Sequence, residues 1–390
     1  MSPRCIRCLY TASPQRRAPM RRAGTAAELL IHMKGAAATP GLTVALASRM
    51  HAEKKLQHPR DYNRLLSILS ASRAWQELLL LLHMMRQWEP APDLVNFTMG
   101  VDACVKATAW AAGFALLPSI REAGLQPDST AYGAAIHGCA RGHQWRRALW
   151  LLHEMGTAQL LASLIACSAA ITACEKVGRW QAAICLLLDV QDAALVPDQV
   201  CYSAAISACE KAQHWQRALT LLDVMHRSWL QANVISCSSA MSACEKGHQW
   251  QMALQLLKDM DMLGVLPNVF SCSAVISACE KALQWQQALN LFGKMSKHGL
   301  SPDIFCYTSA ISSCNAASDW QLALLILETG RRQCVEPNLH SYNALLSTCG
   351  GAGRWALLCF LLSSMRCHAT QPDTVSYNTA ISSCAARAQW

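Results

Sequence analysis

Between Gln199 and Asn233 the apolar residues fall into two stripes. Tyr202, Ile206 and Cys209 lie at i, i+4 and i+7, and Trp215, Ala218, Leu219 and Leu222 lie at i, i+3, i+4 and i+7. Each stripe is one face of an amphipathic helix, with a short break over Ala212 to His214 between them. The same pair returns along the chain. Trp75, Trp110, Trp145, Trp180, Trp215, Trp250, Trp285, Trp320, Trp355 and Trp390 are all 35 residues apart. Pro-Asp or Pro-Asn recurs at 92–93, 127–128, 197–198, 267–268, 302–303, 337–338 and 372–373. These prolines are expected to terminate each helix pair, because proline cannot continue a helix.

Closing each unit on that Asp or Asn gives full units at 59–93, 94–128, 129–163, 164–198, 199–233, 234–268, 269–303, 304–338 and 339–373. A tenth starts at Thr374 and stops at Trp390, inside a first helix, as a fragment of a longer protein would. Residues 24–58 read as a degenerate unit or capping helices, with Met50 in phase with Met85 and Met155. A helical hairpin cannot bury both of its stripes alone, whereas stacked neighbours can. The expected fold is therefore all-α, a right-handed α-solenoid superhelix over 59–390. Ala148, Ala183, Ala218, Ala253, Ala288 and Ala323, each three residues after a tryptophan, imply close helix contacts.

Composition sharpens this picture. With 52% hydrophobic and 15% charged residues the chain is not a disordered one. Its longest apolar stretch, Leu160 to Cys174, is broken by Ser and Thr and too short to span a bilayer. The net charge of +9 comes from residues 1–60, which carry eleven Lys/Arg against two acids; the remainder is neutral. Nine of the twenty cysteines keep the repeat step and read as small buried apolar residues in a reducing compartment. Residues 1–23 hold six arginines and no acid, the composition of an organelle transit peptide or of a disordered basic tail. Mitochondrion and plastid are not separated by it.

The unit starts "VSYNTAISSC" (375–384) and "LHSYNALLSTC" (339–349), the mid-unit Trp-x-x-Ala-Leu, the late Met225, Met260, Met295 and Met365, and the closing Pro-Asp resemble the pentatricopeptide repeat family. The resemblance covers about residues 59–390. It implies single-stranded RNA binding in organelles, one base per repeat, each base read by a few side chains. It implies that the fifth and last residues of a unit read the base and that the second packs against it.

Carried over, the reading pairs are Asn63 with Asp93, Thr98 with Asp128, Gly133 with Ser163, Ser168 with Asp198 and Ser203 with Asn233. Ser238 with Asn268, Ser273 with Asp303, Thr308 with Asn338 and Asn343 with Asp373 follow, and Asn378 has no partner. A carboxylate accepts the Watson–Crick N–H of G or U, whereas an Asn amide donates to the bare ring nitrogen of A or C. By resemblance, Thr or Ser at the fifth position goes with purines and Asn with pyrimidines. The expected site is 5′-UGNGAAGAU-3′. The base-packing residues are Val95, Ile165, Val200, Ile235, Phe270, Phe305 and Val375, with Thr130 and His340 in the same register and Arg60 as the exception. Helix-start residues touching the neighbouring repeat are the alternative reading of that row.

Lys106, Arg141, Lys176, Lys211, Lys246 and Lys281 share one place near the end of the first helix, so stacking would align them into a phosphate-facing stripe. Ala316 and Gly351 interrupt it toward the C-terminus. No HExxH, HxE with PCxxC, Walker or GxGxxG pattern is present, and no cofactor or metal is implied. The chain reads as a monomeric, membrane-free adaptor without chemistry of its own, serving RNA-processing enzymes. The competing class is a protein-binding helical scaffold. The restriction of two positions per unit to Asp/Asn and Ser/Thr/Asn separates the two, since a peptide groove gives no reason for it.

Overall fold

The computed structural model describes residues 59–385 except 73, 87–90, 298 and 368–369, and excepting also the side chains of 59–61, 296–297, 367 and 383–385. The tail and degenerate unit expected over 1–58 lie outside the described residues. Everything described is helix and short connection. The first helices of successive repeats are α1 (Pro59–Ala71), α3 (Leu94–Lys106), α5 (Ser129–Arg141), α7 (Leu164–Lys176), α9 (Gln199–Lys211), α11 (Val234–Lys246), α13 (Val269–Lys281), α15 (Ile304–Ala317), α17 (Leu339–Gly351) and α19 (Thr374–Ala385). The second helices are α2 (Trp75–Met85), α4 (Trp110–Glu122), α6 (Trp145–Thr157), α8 (Trp180–Asp192), α10 (Trp215–Arg227), α12 (Trp250–Met262), α14 (Trp285–Lys297), α16 (Trp320–Arg332) and α18 (Trp355–Cys367). Every second helix opens on the periodic tryptophan.

Packing divides the chain into two units, 1–138 and 139–390. In the first, α1 packs on α3 and each hairpin closes on itself around Tyr62, Leu65, Leu78, Phe97, Val101 and Ile120, all at most 1% exposed. In the second, first helices pack directly on one another, each second helix from α8 to α18 packs on the first helices before and after it, and α6 packs on α7. Successive second helices make no backbone contact among the described residues, although Arg331 on α16 donates to Ser364 Oγ on α18 at 3.3 Å. The first helices are thus covered on several sides, while the second helices form an outer row with grooves between them.

The repeated cysteine is a core residue. Cys139, Cys174, Cys209, Cys244, Cys279, Cys314 and Cys349 are fully buried and free. Burial pushes the Cys209 thiol up to about 11, so it stays protonated at neutral pH. Ala148, Ala183, Ala218, Ala253, Ala288 and Ala323 are fully buried too, at the close helix approach their spacing implies.

Helix termination differs from the sequence expectation. The second helix stops before the proline is reached, at a residue in the left-handed region such as Ala194, Trp229 or Gly264. The first helix stops the same way, at His143, Gly178, Gln213, His248 or Leu283. The next amide then folds back five residues: His214 N donates to Cys209 O at 2.9 Å, and Leu230 N to Met225 O at 3.2 Å. These are Schellman closures, in which the chain reverses to satisfy a carbonyl at the helix end. The periodic Cys and Met supply those carbonyls, and the proline only sets the extended backbone that follows.

Successive repeats are also joined at their edges. The guanidinium of Arg179 lies 5.2 Å from the Trp145 ring centre and that of Arg354 lies 5.0 Å from Trp320. His214 holds the equivalent place 4.4 Å from Trp180. Tyrosines at the fourth position of a repeat anchor it to its predecessor: Gln191 Nε2 donates to Tyr202 Oη at 3.0 Å, and Arg366 to Tyr377 Oη at 2.8 Å.

Candidate nucleic-acid interface

The last residue of each repeat is the N-cap of the next first helix. Asp93, Asp128, Asp198, Asn233, Asn268, Asp303, Asn338 and Asp373 each accept, through Oδ1, the amide hydrogen three residues on, at 2.7–2.9 Å. Ser163 does so through Oγ at 3.2 Å. Asp, Asn and Ser are the residues a cap needs, since a short side-chain oxygen satisfies an orphan N–H there. Capping is thus a sufficient structural cause for the restriction at this position, and by itself the restriction does not separate an RNA groove from a peptide groove.

The cap also orients the side chain. With Oδ1 held by the cap, the other terminal atom is Oδ2, an acceptor, on Asp, or the Nδ2 amide group, a donor, on Asn; at Asp128 that Oδ2 already accepts from Thr130 Oγ1 at 2.7 Å. In three repeats the choice goes with the residue being capped. Asn233, Asn268 and Asn338 also accept the hydroxyls of Ser236, Ser271 and Ser341, at 2.8, 2.8 and 2.9 Å. Asp373 likewise accepts from Ser376 at 2.8 Å, and the Ser376 amide holds its carboxyl below the usual range.

Fifth and last residues of one repeat meet. Asn343 Nδ2 lies 3.4 Å from Asp373 Oδ1. The hydroxyls of Thr98, Ser168, Ser203, Ser238 and Ser273 each donate to a carbonyl one turn back, at 2.8–3.0 Å. Thr308 donates to Ile304 O at 2.7 Å and lies 2.8 Å from Ser341 Oγ. Their remaining capacity is as acceptors. Ser238 is buried, 6% exposed, unlike the half-buried Ser168, Ser203, Ser273 and Thr308. The Oδ1 of Asn63 is buried without a partner, as is that of Asn96. Asn378 is exposed, and Gly133 offers no side chain.

The second-position residues point into solvent. Val95, Ile165, Val200, Ile235, Phe270, Phe305 and Val375 are 52–77% exposed, and Thr130 and His340 are exposed as well. Contact with the neighbouring repeat, the alternative open to the sequence, does not cover them. Second, fifth, ninth and thirteenth positions fall on one face of the first helix by its period.

The thirteenth position carries the basic row, and here the structure adds what sequence reasoning missed. Lys211 Nζ meets Glu175 Oε1 of the preceding repeat at 2.8 Å, Lys246 meets Glu210 at 2.9 Å, and Lys281 meets Glu245 at 2.8 Å. The glutamates that precede the lysines in ACEK turn toward the next repeat and form a ladder with its lysine. Ser242 and Ser277 add hydroxyl donors to Glu210 and Glu245 at 3.0 and 2.8 Å. Lys106 pairs with Asp102 on its own helix at 2.6 Å. At one end of the ladder Lys176 has no acidic partner among the described residues; the corresponding place before it is Ala140. At the other, Glu280 meets Ser309 and Ser312 in place of a lysine, and its burial holds its carboxyl above the usual range. The signal was the repeated Glu beside each Lys, with partners 36 residues apart.

Among the described residues no cluster of His, Cys, Asp and Glu could hold a metal ion, and no helix is long and apolar enough to cross a membrane. Stacked 35-residue hairpins with capped starts and an exposed apolar row define a helical-repeat protein. Family models described as PPR repeat family, pentatricopeptide repeat domain and PPR repeat match residues 267–315, 220–282, and 130–159 with 200–230. Residues 130–159 and 200–315 are thus matched as pentatricopeptide repeats. It is similar to the crystal structure of the pentatricopeptide repeat protein PPR10 from maize, at 23% identity and TM-score 0.64, covering 91% of this chain and 50% of that one. A structure of PPR10 in complex with an 18-nt psaJ RNA element matches at 17% identity and TM-score 0.69, covering 94% and 53%. The chain thus spans about half the length of those structures, and at these identities the likeness shows the helical-repeat fold. No curated protein sequence matches the chain.

Proposed function

We propose that the protein is a sequence-selective single-stranded RNA-binding adaptor acting in mitochondria or plastids, with one base per repeat. The observation that carries this is the row of exposed apolar side chains at the second position, Ile165, Val200, Ile235, Phe270 and Phe305. Leaving such side chains in water has no structural return, whereas a base face has the shape and apolarity to cover them. Beside them sit the fifth and last residues, the latter held by capping, with an acceptor on Asp and a donor on Asn. PPR10, which shares the fold, is seen in complex with RNA.

In this reading the repeats from 164 to 373 take GAAGAU of the UGNGAAGAU site. Ser238 serves by packing, since its hydroxyl is buried. Lys176 makes the strongest phosphate contact. Lys211, Lys246 and Lys281 reach phosphate while sharing their charge with glutamate, Arg141 extends the row, and Lys106 is a phosphate contact within its own unit. Binding alone occludes the RNA or recruits a processing enzyme to it; the chain supplies no catalytic group.

Selection of a random RNA pool on the purified chain, followed by sequencing, tests the proposal. Enrichment of GAAGAU within the selected sequences is expected. A folded, helical sample that enriches no sequence overturns the reading and leaves the protein-binding scaffold in its place.

A further inference from the structure

Of the ten repeats, six place tyrosine at the fourth position, one places phenylalanine (Phe97), and three place cysteine: Cys167, Cys237 and Cys272. In five of the six the tyrosine ring is buried, as with Tyr202 and Tyr342, both at most 1% exposed, whereas Tyr377 is 38% exposed. In four of the six its hydroxyl accepts from a polar residue eleven before it, near the end of the preceding second helix: Arg121 for Tyr132, Gln191 for Tyr202, Arg331 for Tyr342 and Arg366 for Tyr377; Tyr307 donates instead to Gln333 of its own repeat. Cysteine fills only a fraction of that space. Among the described residues no backbone contact joins the two second helices that flank Cys272.

At Cys272 the gap is a cleft of about 650 Å³ between α12 and α14, walled by Leu257, Leu291, Met295, Leu300 and Cys272 itself. Asp261, eleven residues before Cys272, also lines it, in the place that Gln191, Arg331 and Arg366 hold elsewhere. The Asp261 carboxylate has no hydrogen-bond or ion-pair partner among the described residues. Two comparisons set the scale. The cleft beside Phe97, where a ring fills the position, is about 320 Å³. The cleft beside Cys237 is about 310 Å³, with Met252 and Leu263 among its lining residues. The space at Cys272 is about twice as large as either.

We propose that this cleft is a ligand site for a phenol ring, which takes the place of the missing tyrosine side chain and donates its hydroxyl to the Asp261 carboxylate. The walls supply the apolar surface that a ring needs, and a few placed polar groups fix its orientation. Burial first, and the Asp261 charge second, push the Cys272 thiol up to about 11, so the wall beside the carboxylate is an uncharged thiol. Lys258 and Lys294 complete the rim. The site lies among second helices, apart from the row of second-position residues, and does not depend on RNA binding.

The probe is p-cresol, the tyrosine side chain without its backbone, titrated into the full chain while thermal unfolding is followed. A ligand that binds only the folded state raises Tm in a saturable way. The expected result is such a rise for p-cresol and binding of toluene at least about tenfold weaker, because a hydrogen bond to a charged acceptor is lost. Cys272→Tyr should raise Tm without ligand and abolish the response. Asp261→Ala, at an exposed position, keeps the fold and should weaken p-cresol while leaving toluene unchanged. No saturable rise, equal binding of toluene, or indifference of p-cresol to Asp261→Ala overturns the proposal. N-acetyltyrosinamide distinguishes the source: binding like that of p-cresol assigns the site to a tyrosine of a partner protein, and binding of p-cresol alone assigns it to a free small phenol.

Discussion

Asn343 and Asp373 stand thirty residues apart in sequence, yet Asn343 Nδ2 lies 3.4 Å from Asp373 Oδ1, while the same Oδ1 caps the following helix through Ser376 N at 2.8 Å. One carboxylate oxygen thus ties the two ends of a repeat together and starts the next. Its second oxygen takes no part in that cap. Structural and reading roles are divided between the two atoms of one side chain.

That division gives a substitution that separates them. Asp373→Asn still caps, so stability should change by less than about 0.5 kcal/mol. The second terminal atom becomes a donor, and preference at the ninth base should move from U toward C by about 1 kcal/mol, roughly fivefold. Asn268→Asp should move the sixth base from A toward G in the same way. Binding to RNAs randomised at one position reads both, and unchanged preference refutes the frame.

The ladder predicts an inter-repeat coupling. In a double-mutant cycle of Glu210→Gln and Lys246→Met, measured by urea unfolding, the coupling energy should be about 0.5–1 kcal/mol and shrink with salt. These groups are 16% and 34% exposed, which keeps the value modest. A coupling of zero at low salt would mean that the pair is not held in solution.

The free end of the ladder predicts a difference in salt dependence. Removing a phosphate contact reduces the slope of log K against log salt by about 0.7 for single-stranded RNA. Lys176→Gln should show that full change, since no acid competes for the ammonium. Lys246→Gln should show less, because its charge is shared with Glu210 in the free protein. Equal changes for the two would show that the ladder opens completely on binding.

The buried end predicts a pH effect. Glu280 has its folded-state pKa raised above the unfolded one, so the folded chain holds the proton more tightly. Stability from this group is present below the unfolded carboxylate pKa and is lost as pH rises through the folded value. Ala316→Lys places the missing cation opposite Glu280. It should add about 0.5 kcal/mol at neutral pH and nothing once the carboxylate is protonated. Thermal unfolding at pH 7 and pH 3.5 compares the two conditions; a gain that persists in acid would point to helix propensity instead of pairing.

Left-handed residues other than glycine close many of these helices. Gln213, with φ 62°, holds the place that Gly178 and Gly353 hold in their repeats. Gln213→Gly relieves the clash of Cβ with the backbone and should stabilise the chain by about 0.5–1 kcal/mol, part of the relief being offset by unfolded-state entropy. The midpoint of urea unfolding measures it.

Much of the fold was legible in the chain because it is encoded by short-range physics. Helical period, the tryptophan that opens each second helix, the buried cysteine and the small alanine at a close approach each follow from residues within one turn or two. The stopping point was misread at the prolines because Schellman closure depends on backbone reversal, which Gln213 or Trp229 gives no hint of in composition. At the candidate site, the second, fifth and last positions came from the family resemblance, and the 35-residue period only carried them from unit to unit. The sequence did not reveal that the last position is a helix cap, since reading and capping call for the same residues.

The sequence by itself determined the 35-residue period, the helix pair and the register of exposed residues, because each depends on local hydrogen bonding and on which side of a helix is apolar. Only the tertiary structure decided that Glu210 faces Lys246, that Asn343 reaches Asp373, and that a wide cleft opens beside Cys272 and Asp261. Those relationships depend on the angle and distance at which one repeat stacks on the next. Differences of an ångström there decide whether two side chains pair, and no local pattern carries that information.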